Sequence, residues 1–176
     1  MTLPKKAYYH ALKYGPSDET REIACKIPFF TYYYAKDVDK CPRDDTRKAA
    51  CGDSLCAYWY AQNIDKCPRN DTRKTACKNP KCTYYYAKYV DKKPRNDTRK
   101  AACKNSYWAF EYAKDIDKYP LENTRKAACN DPENAYLYAK YVDKKFHEDT
   151  WKRVQKTEFE EKYNQFLNRI EKDKII

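Results

Sequence analysis

Apolar residues recur along this chain in short blocks spaced i, i+3, i+4 and i+7. Thr83, Tyr86, Ala87 and Val90 form one block; Ala57, Tyr60, Ala61 and Ile64, and Ala135, Tyr138, Ala139 and Val142, form others. That spacing puts each block on one face of a helix, whereas a strand would alternate with period two. A shorter helix precedes each block. Within it, Thr46, Ala49 and Ala50 share a face, and their small size admits a close neighbour. Asp45, Asp71, Asp97, Asn123 and Asp149 stand just ahead of these helices as expected N-caps. Pro42, Pro68, Pro94 and Pro120 come slightly earlier and stop the preceding helix. The break between the two helices carries Pro28, Pro80 or Pro132 in alternate copies, with Ser54 and Ser106 in the others.

The pattern is periodic. Threonine recurs at Thr20, Thr46, Thr72, Thr98, Thr124 and Thr150, a constant step of 26 residues without insertion or deletion. A fixed period of this size marks an array of stacked supersecondary units. Helices this short do not fold alone, because nucleation is costly, but stacked hairpins bury a continuous core. The expected fold is therefore all-α, a solenoid of five to six helix-turn-helix repeats forming one domain over residues 1–176. Residues 1–19 form an N-terminal cap, 20–148 the repeats and 149–176 a C-terminal capping helix. Ala7 to Ala11 reads as a degraded second helix. From Asp149 a helix continues without Pro or Gly towards Lys174, with Phe159, Tyr163, Phe166, Leu167 and Ile170 as its apolar face.

The period is too short for tetratricopeptide or ankyrin repeats. The frame Ala-Tyr-x-Tyr-Ala-Lys-x-Val/Ile-Asp-Lys followed by Asp-Thr-Arg-Lys-Ala-Ala resembles the short α-helical repeats of a bacterial and viral family of unknown function. The resemblance covers roughly Ala7 to Arg153. The chain departs from that family in having Cys and Pro where aliphatic residues and Gly are usual. The resemblance implies an α-solenoid and no activity.

Composition narrows the function classes. The chain is 36% charged and carries 19 Tyr, which separates it from disordered chains poor in aromatics. Its net charge of +11 favours an acidic partner. No apolar run reaches membrane-span length, and Met1 to Tyr14 lacks the apolar centre of a signal peptide, so an intracellular protein with reduced thiols is expected.

In an array, positions that hold the scaffold repeat, and positions that touch a partner are free to vary. In the second helix two positions four apart vary most: Tyr33 and Asp37, Trp59 and Asn63, Tyr85 and Tyr89, Glu111 and Asp115, Leu137 and Tyr141. Each pair shares a face away from the apolar stripe, and in a stacked array the pairs would line up as one surface strip. Exposed Tyr and Trp there are typical binding anchors; packing against adjacent repeats is the competing reading. A second ladder is basic: Arg47 with Lys48, Arg73 with Lys74, Arg99 with Lys100, and Arg125 with Lys126. It would suit a phosphate backbone. Asp39, Asp65, Asp91, Asp117 and Asp143 recur with the same period, however, and favour pairing of the arginines within the scaffold.

The nine cysteines lack the clustered pairs of a metal site. Cys51 with Cys56, and Cys77 with Cys82, would bridge a hairpin in an oxidising compartment, although the odd total favours small buried thiols. Only His10 and His147 are present, near the two ends, and Gly15 and Gly52 make no phosphate loop. The expectation is a non-enzymatic binder without cofactor or metal, of inhibitor or effector type such as viruses use, acting on a protein with an acidic surface. Binding of RNA or single-stranded DNA on a basic, aromatic-bearing surface is the alternative.

Overall fold

The computed structural model describes residues 2–172. It is all-α, built from repeated helix-turn-helix pairs. The first helices of the pairs are α2 (Asp18–Ala24), α4 (Asp44–Ala50), α6 (Asn70–Ala76), α8 (Asn96–Ala102), α10 (Glu122–Ala128) and α12 (Glu148–Val154). The second helices are α3 (Pro28–Tyr33), α5 (Ser54–Tyr60), α7 (Pro80–Tyr86), α9 (Ser106–Tyr112) and α11 (Pro132–Tyr138). The ends are α1 (Leu3–Tyr14) and α13 (Glu160–Lys172). The chain forms two compact units that divide between Lys92 and Lys93.

The expected apolar stripes are buried. Tyr60, Tyr86 and Tyr138 have no exposed surface, nor do the alanines that follow them, and Ile64, Val90 and Val142 are buried too. On the first helices Thr46 and Ala50 are buried, while Ala49 is half-buried. The tyrosines are more than apolar fillers. Each hydroxyl reaches the N-terminus of the preceding first helix. Tyr60 Oη accepts from the Arg43 N–H at 3.0 Å, donates to the Arg43 carbonyl at 3.1 Å, and lies 2.8 Å from Thr46 Oγ1. Thr46 also donates to the same carbonyl at 3.3 Å. The arrangement recurs with Tyr34 and Thr20, Tyr86 and Thr72, Tyr112 and Thr98, Tyr138 and Thr124, and Tyr163 and Thr150. Tyrosine thus satisfies an N–H that a helix start leaves without a partner and adds a second bond to a carbonyl that already accepts within the helix.

These helices start two residues earlier than the sequence suggests. Arg43, Arg69, Arg95, Leu121 and His147 hold the N-cap positions, and no side-chain cap is made by the first four. Asp45, Asp71, Asp97 and Asn123 lie inside the first turn instead, where each accepts from the N–H of the following threonine at 2.7–2.9 Å. Asp149 occupies the matching place in α12, with its own N–H donated to His147 Nδ1. The side chains of Asp45, Asp71, Asp97 and Asn123 already take the threonine N–H that a capping residue would accept from, so a capping side chain at the N-cap is dispensable. Pro28, Pro80 and Pro132 likewise belong to the second helices, at their first turns, where a missing N–H costs nothing. Asp53, Asn79, Asn105 and Asp131 cap four of these helices.

Every second helix widens into a π-turn: Tyr34–Asp39, Ala61–Asp65, Ala87–Asp91, Ala113–Asp117 and Ala139–Asp143. In two of these the next residue closes an i→i+5 hydrogen bond, Lys118 N–H to Ala113 O and Lys144 N–H to Ala139 O, both 2.8 Å. The wider turn brings the terminal aspartate towards the face that carries the buried tyrosine. There it meets the arginine of the first helix. Arg73 Nε donates to both oxygens of Asp91 at 3.0 and 3.1 Å, and Arg73 Nη2 donates at 2.7 Å. The other pairs are Arg21–Asp39, Arg47–Asp65, Arg99–Asp117 and Arg125–Asp143. Each guanidinium also lies 5.6–6.0 Å from the ring centre of its own repeat's tyrosine.

Lys40, Lys66, Lys92, Lys118 and Lys144 end the π-turns with φ between 53° and 62°, a left-handed conformation that favours Gly or Asn. All five are exposed.

The C-terminal region differs from the expected single helix. It breaks after Val154, where Lys156 turns with φ 60°, and α12 and α13 form a sixth hairpin. Lys156 takes the left-handed conformation that Gly would usually supply, whereas the other first helices end on a cysteine with φ between −64° and −67°. Tyr163 takes the clamp position one residue sooner after its threonine than elsewhere, 13 residues against 14. It packs with Ala135, Ala139 and Val154, flanked by Phe159, Phe166 and Leu167. Lys174 lies outside the described residues. At the other end, Ala7 and Ala11 of α1 are buried, and Ala11 packs with Ala24 and Tyr34.

Two outcomes follow from the buried pair and the left-handed lysines. Arg99→Ala should lower stability in urea denaturation by about 3–5 kcal/mol, since it strands Asp117, while Arg99→Met combined with Asp117→Leu should cost less than the single change. Lys92→Gly should raise stability by about 0.5–1 kcal/mol through relief of the left-handed strain, and a loss would show that the lysine side chain holds the turn.

Candidate functional site

The variable positions lie on the second helices, flanking the buried stripe. In the first unit, Tyr33 and Trp59 are half-buried against the core of Tyr32, Ala35, Ala50, Cys56, Tyr60 and Ile64. The Trp59 and Tyr32 rings are 5.4 Å apart. Tyr85 stacks on Tyr58 at 6.0 Å and on Tyr89 at 6.1 Å, and Tyr89 is 45% exposed. The polar members have partners. Asp37 accepts from the Tyr8 hydroxyl at 2.8 Å, and Asn63 donates to the Tyr32 hydroxyl at 2.9 Å. Burial, then the bond to Asp37, drives the Tyr8 pKa upward, so the hydroxyl stays protonated.

In the second unit, Glu111 is half-buried and pairs with Lys114 at 2.6 Å, and Asp115 lies 3.9 Å from the same ammonium. Leu137 packs against Phe110, Ala113, Ala128, Tyr138 and Val142. Tyr141 is exposed beside Phe110, with ring centres 6.4 Å apart. The two competing readings are thus both visible at these positions. Each large residue seats one side on a neighbouring repeat and offers the other to solvent.

Lysines cover the same rings. Lys36 lies 5.9 Å from Tyr32 and Tyr33, Lys88 5.2 Å from Tyr84, Lys114 4.8 Å from Phe110 and Lys140 5.6 Å from Tyr136. Ring and lysine are four residues apart, or three for Tyr33 and Lys36, so helical spacing places them together. This signal was available in the repeated frame and was missed, because the lysine was read only as surface charge. Gln62 stands at this position in α5.

The basic ladder divides. Arg47, Arg73, Arg99 and Arg125 are at most 9% exposed and are bonded to aspartates, which removes them from the alternative phosphate-contacting set. Each guanidinium is buried with its Nε edge committed to the aspartate, which leaves little of it within reach of a backbone phosphate. Lys48, Lys74, Lys100 and Lys126 remain exposed, with Lys126 paired to Glu122.

All nine cysteines are free thiols. Burial pushes the Cys56 thiol up to about 12, and those of Cys103 and Cys129 up to about 11. Held protonated, these three are poor nucleophiles and metal ligands. Among the described residues no three His, Cys, Asp or Glu side chains are grouped to hold a metal ion, and no helix is long and apolar enough to cross a membrane. His147 is engaged at the start of α12, and the ring of His10 lies beside Tyr14.

Comparison with protein-family models, with curated proteins and with solved structures finds no match to this chain.

Proposed function

We propose that the chain is a non-enzymatic helical-repeat binder that engages a protein with an acidic surface and acts by occupying or bridging it. One observation carries this reading. Within a scaffold repeated almost residue for residue, the positions that change are half-exposed and mostly aromatic in the first unit: Tyr33, Trp59, Tyr85 and Tyr89. Large rings already held on one side by packing lose little freedom when a partner covers the other side, which is why Trp and Tyr dominate binding hot spots.

Charge supports an acidic partner. Each buried pair joins one arginine to one aspartate, so the scaffold consumes equal numbers of both signs. The excess of +11 therefore belongs to the remaining residues, chiefly exposed lysines. Such a surface steers an acidic protein into encounter and rejects a basic one. Asp37 and Asn63 bond to the preceding helix pair, and Glu111 and Asp115 pair with Lys114 of their own repeat, so these polar members are held in place beside the anchors.

The test is affinity capture from the native host with and without nuclease treatment. An acidic protein should be recovered equally in both. Trp59→Ala combined with Tyr85→Ala should weaken its binding by roughly 30-fold or more, the scale of a hot-spot residue, with helicity by circular dichroism unchanged. Recovery abolished by nuclease, together with binding that falls steeply with salt, would instead favour RNA or single-stranded DNA as the ligand.

A further inference from the structure

The second unit has a cleft of about 330 Å³ between α11 with its π-turn and the C-terminal helix α13. Three rings line it, from Tyr136, Tyr141 and Phe166, and three cations join them, Lys140, Lys162 and Arg169. No carboxylate lines the cleft. Among the described residues none of the three cations forms an ion pair. Lys140 instead lies over the Tyr136 and Tyr141 rings at 5.6 and 5.1 Å, and Lys162 lies over Phe159 at 4.9 Å. The neighbouring carboxylate Glu161 accepts from Gln165 at 3.1 Å.

Internal repetition sets this cleft apart from the scaffold. The second helices carry Tyr-Ala-Lys/Gln-x-Val/Ile-Asp, whereas α13 runs Tyr163-Asn-Gln-Phe-Leu-Asn-Arg169. It keeps the clamp tyrosine and discards the aspartate that would pair with an arginine. Trp151 stands where that arginine would be. Lys162 and Phe166 stand at positions that vary between copies, whereas Lys140 and Arg169 stand where the repeat carries a lysine, so α13 adds a third cation and a third ring to what the repeat frame supplies. A cleft in the first unit shows the contrast. It is smaller, about 230 Å³, and pairs Lys66 and Lys92 with the single ring of Tyr89.

We propose that the cleft between α11 and α13 binds a nucleoside monophosphate, the base against the aromatic side chains and the phosphate among Lys140, Lys162 and Arg169. The ring faces suit a planar heterocycle, which stacks on Tyr and Phe irrespective of sequence. The cations suit a doubly charged group, and Arg offers the planar fork that matches a phosphate. A volume at the small end of ligand sites admits one nucleotide rather than a dinucleotide. The cleft takes Tyr141 from the variable positions, but it includes none of the protein-binding anchors Tyr33, Trp59, Tyr85 and Tyr89 and does not depend on that reading.

Isothermal titration of the full chain with AMP, adenosine and inorganic phosphate tests it. At the efficiency usual for ligands of this size, AMP should bind with a Kd of about 10 µM. Adenosine and phosphate should each bind at least about tenfold more weakly, since each makes only half of the contacts. Lys162→Gln combined with Arg169→Gln should weaken AMP by about tenfold or more with unchanged Tm, because both side chains are exposed. Tyr141→Ala should weaken AMP and leave phosphate unaffected. No detectable AMP binding, phosphate binding as tightly as AMP, or a double variant that binds like the parent would overturn the proposal.

Discussion

The structure depends on one hydroxyl per repeat. A tyrosine with no exposed surface sends its ring through the hairpin core and ends at the first backbone groups of the preceding helix. The N–H has no partner within the helix, and an unpaired buried N–H costs about 1–3 kcal/mol. The tyrosine oxygen accepts from the N–H, donates to the carbonyl and lies within hydrogen-bond distance of the threonine hydroxyl three residues further on. This fixes three things together: where the first helix starts, how far away the second helix lies, and which residue can stand at each position. Serine in place of threonine would make the hydrogen bond without the buried methyl, and valine would fill the space without the bond.

The arginine and the π-turn follow from that placement. Once the tyrosine ring is fixed, its face offers a site for a guanidinium, and the arginine one residue after the threonine occupies it. A buried cation needs an anion within reach. The aspartate lies five residues after the tyrosine, a separation that a π-turn brings nearer to the tyrosine's face than an α-turn does. The left-handed lysine then ends the helix in the only way open after a widened turn. The α12–α13 hairpin is an informative exception. It keeps the tyrosine and threonine and lacks the arginine, the aspartate and the π-turn. The hydroxyl contact is thus the element that a repeat retains when the others are lost.

Much of this was legible in the sequence. The 26-residue step located the hairpins as far as Asp143 but not the one made by α12 and α13, and the i, i+3, i+4, i+7 stripe identified Tyr86, Ala87 and Val90 as core. The matched ladders of Arg and Asp indicated pairing. What escaped was chemistry that periodicity does not carry. Tyr86 was read as a ring, and a stripe is blind to where a hydroxyl ends. The π-turns were hidden because an α-helical stripe fits as far as Val90, and only Asp91 requires the wider turn. Lys92 gave no sign of a left-handed turn, for which Gly or Asn is the usual marker. The break after Val154 lacks Pro and Gly, yet the step from Thr124 to Thr150 already required a hairpin there. Asp53, Asn79, Asn105 and Asp131 were an open signal for helix starts that was passed over. The candidate surface was legible only as a set of varying positions. Its lysines over rings needed the i, i+4 relation between a residue assigned to the core and one assigned to the surface.

A division of labour results. Residues that repeat without change are committed to the fold, down to their hydroxyls and charges, and those that vary are the ones with surface left to offer. The claim beneath this account is that the tyrosine hydroxyl, and not the ring alone, holds each hairpin together. Urea denaturation of Tyr86→Phe, Thr72→Val and the double variant addresses it most directly. The account predicts that each single change costs about 1–3 kcal/mol and that the double variant costs clearly less than their sum, since both remove one shared network. A Tyr86→Phe variant within about 0.5 kcal/mol of the parent, or strictly additive losses, would contradict it.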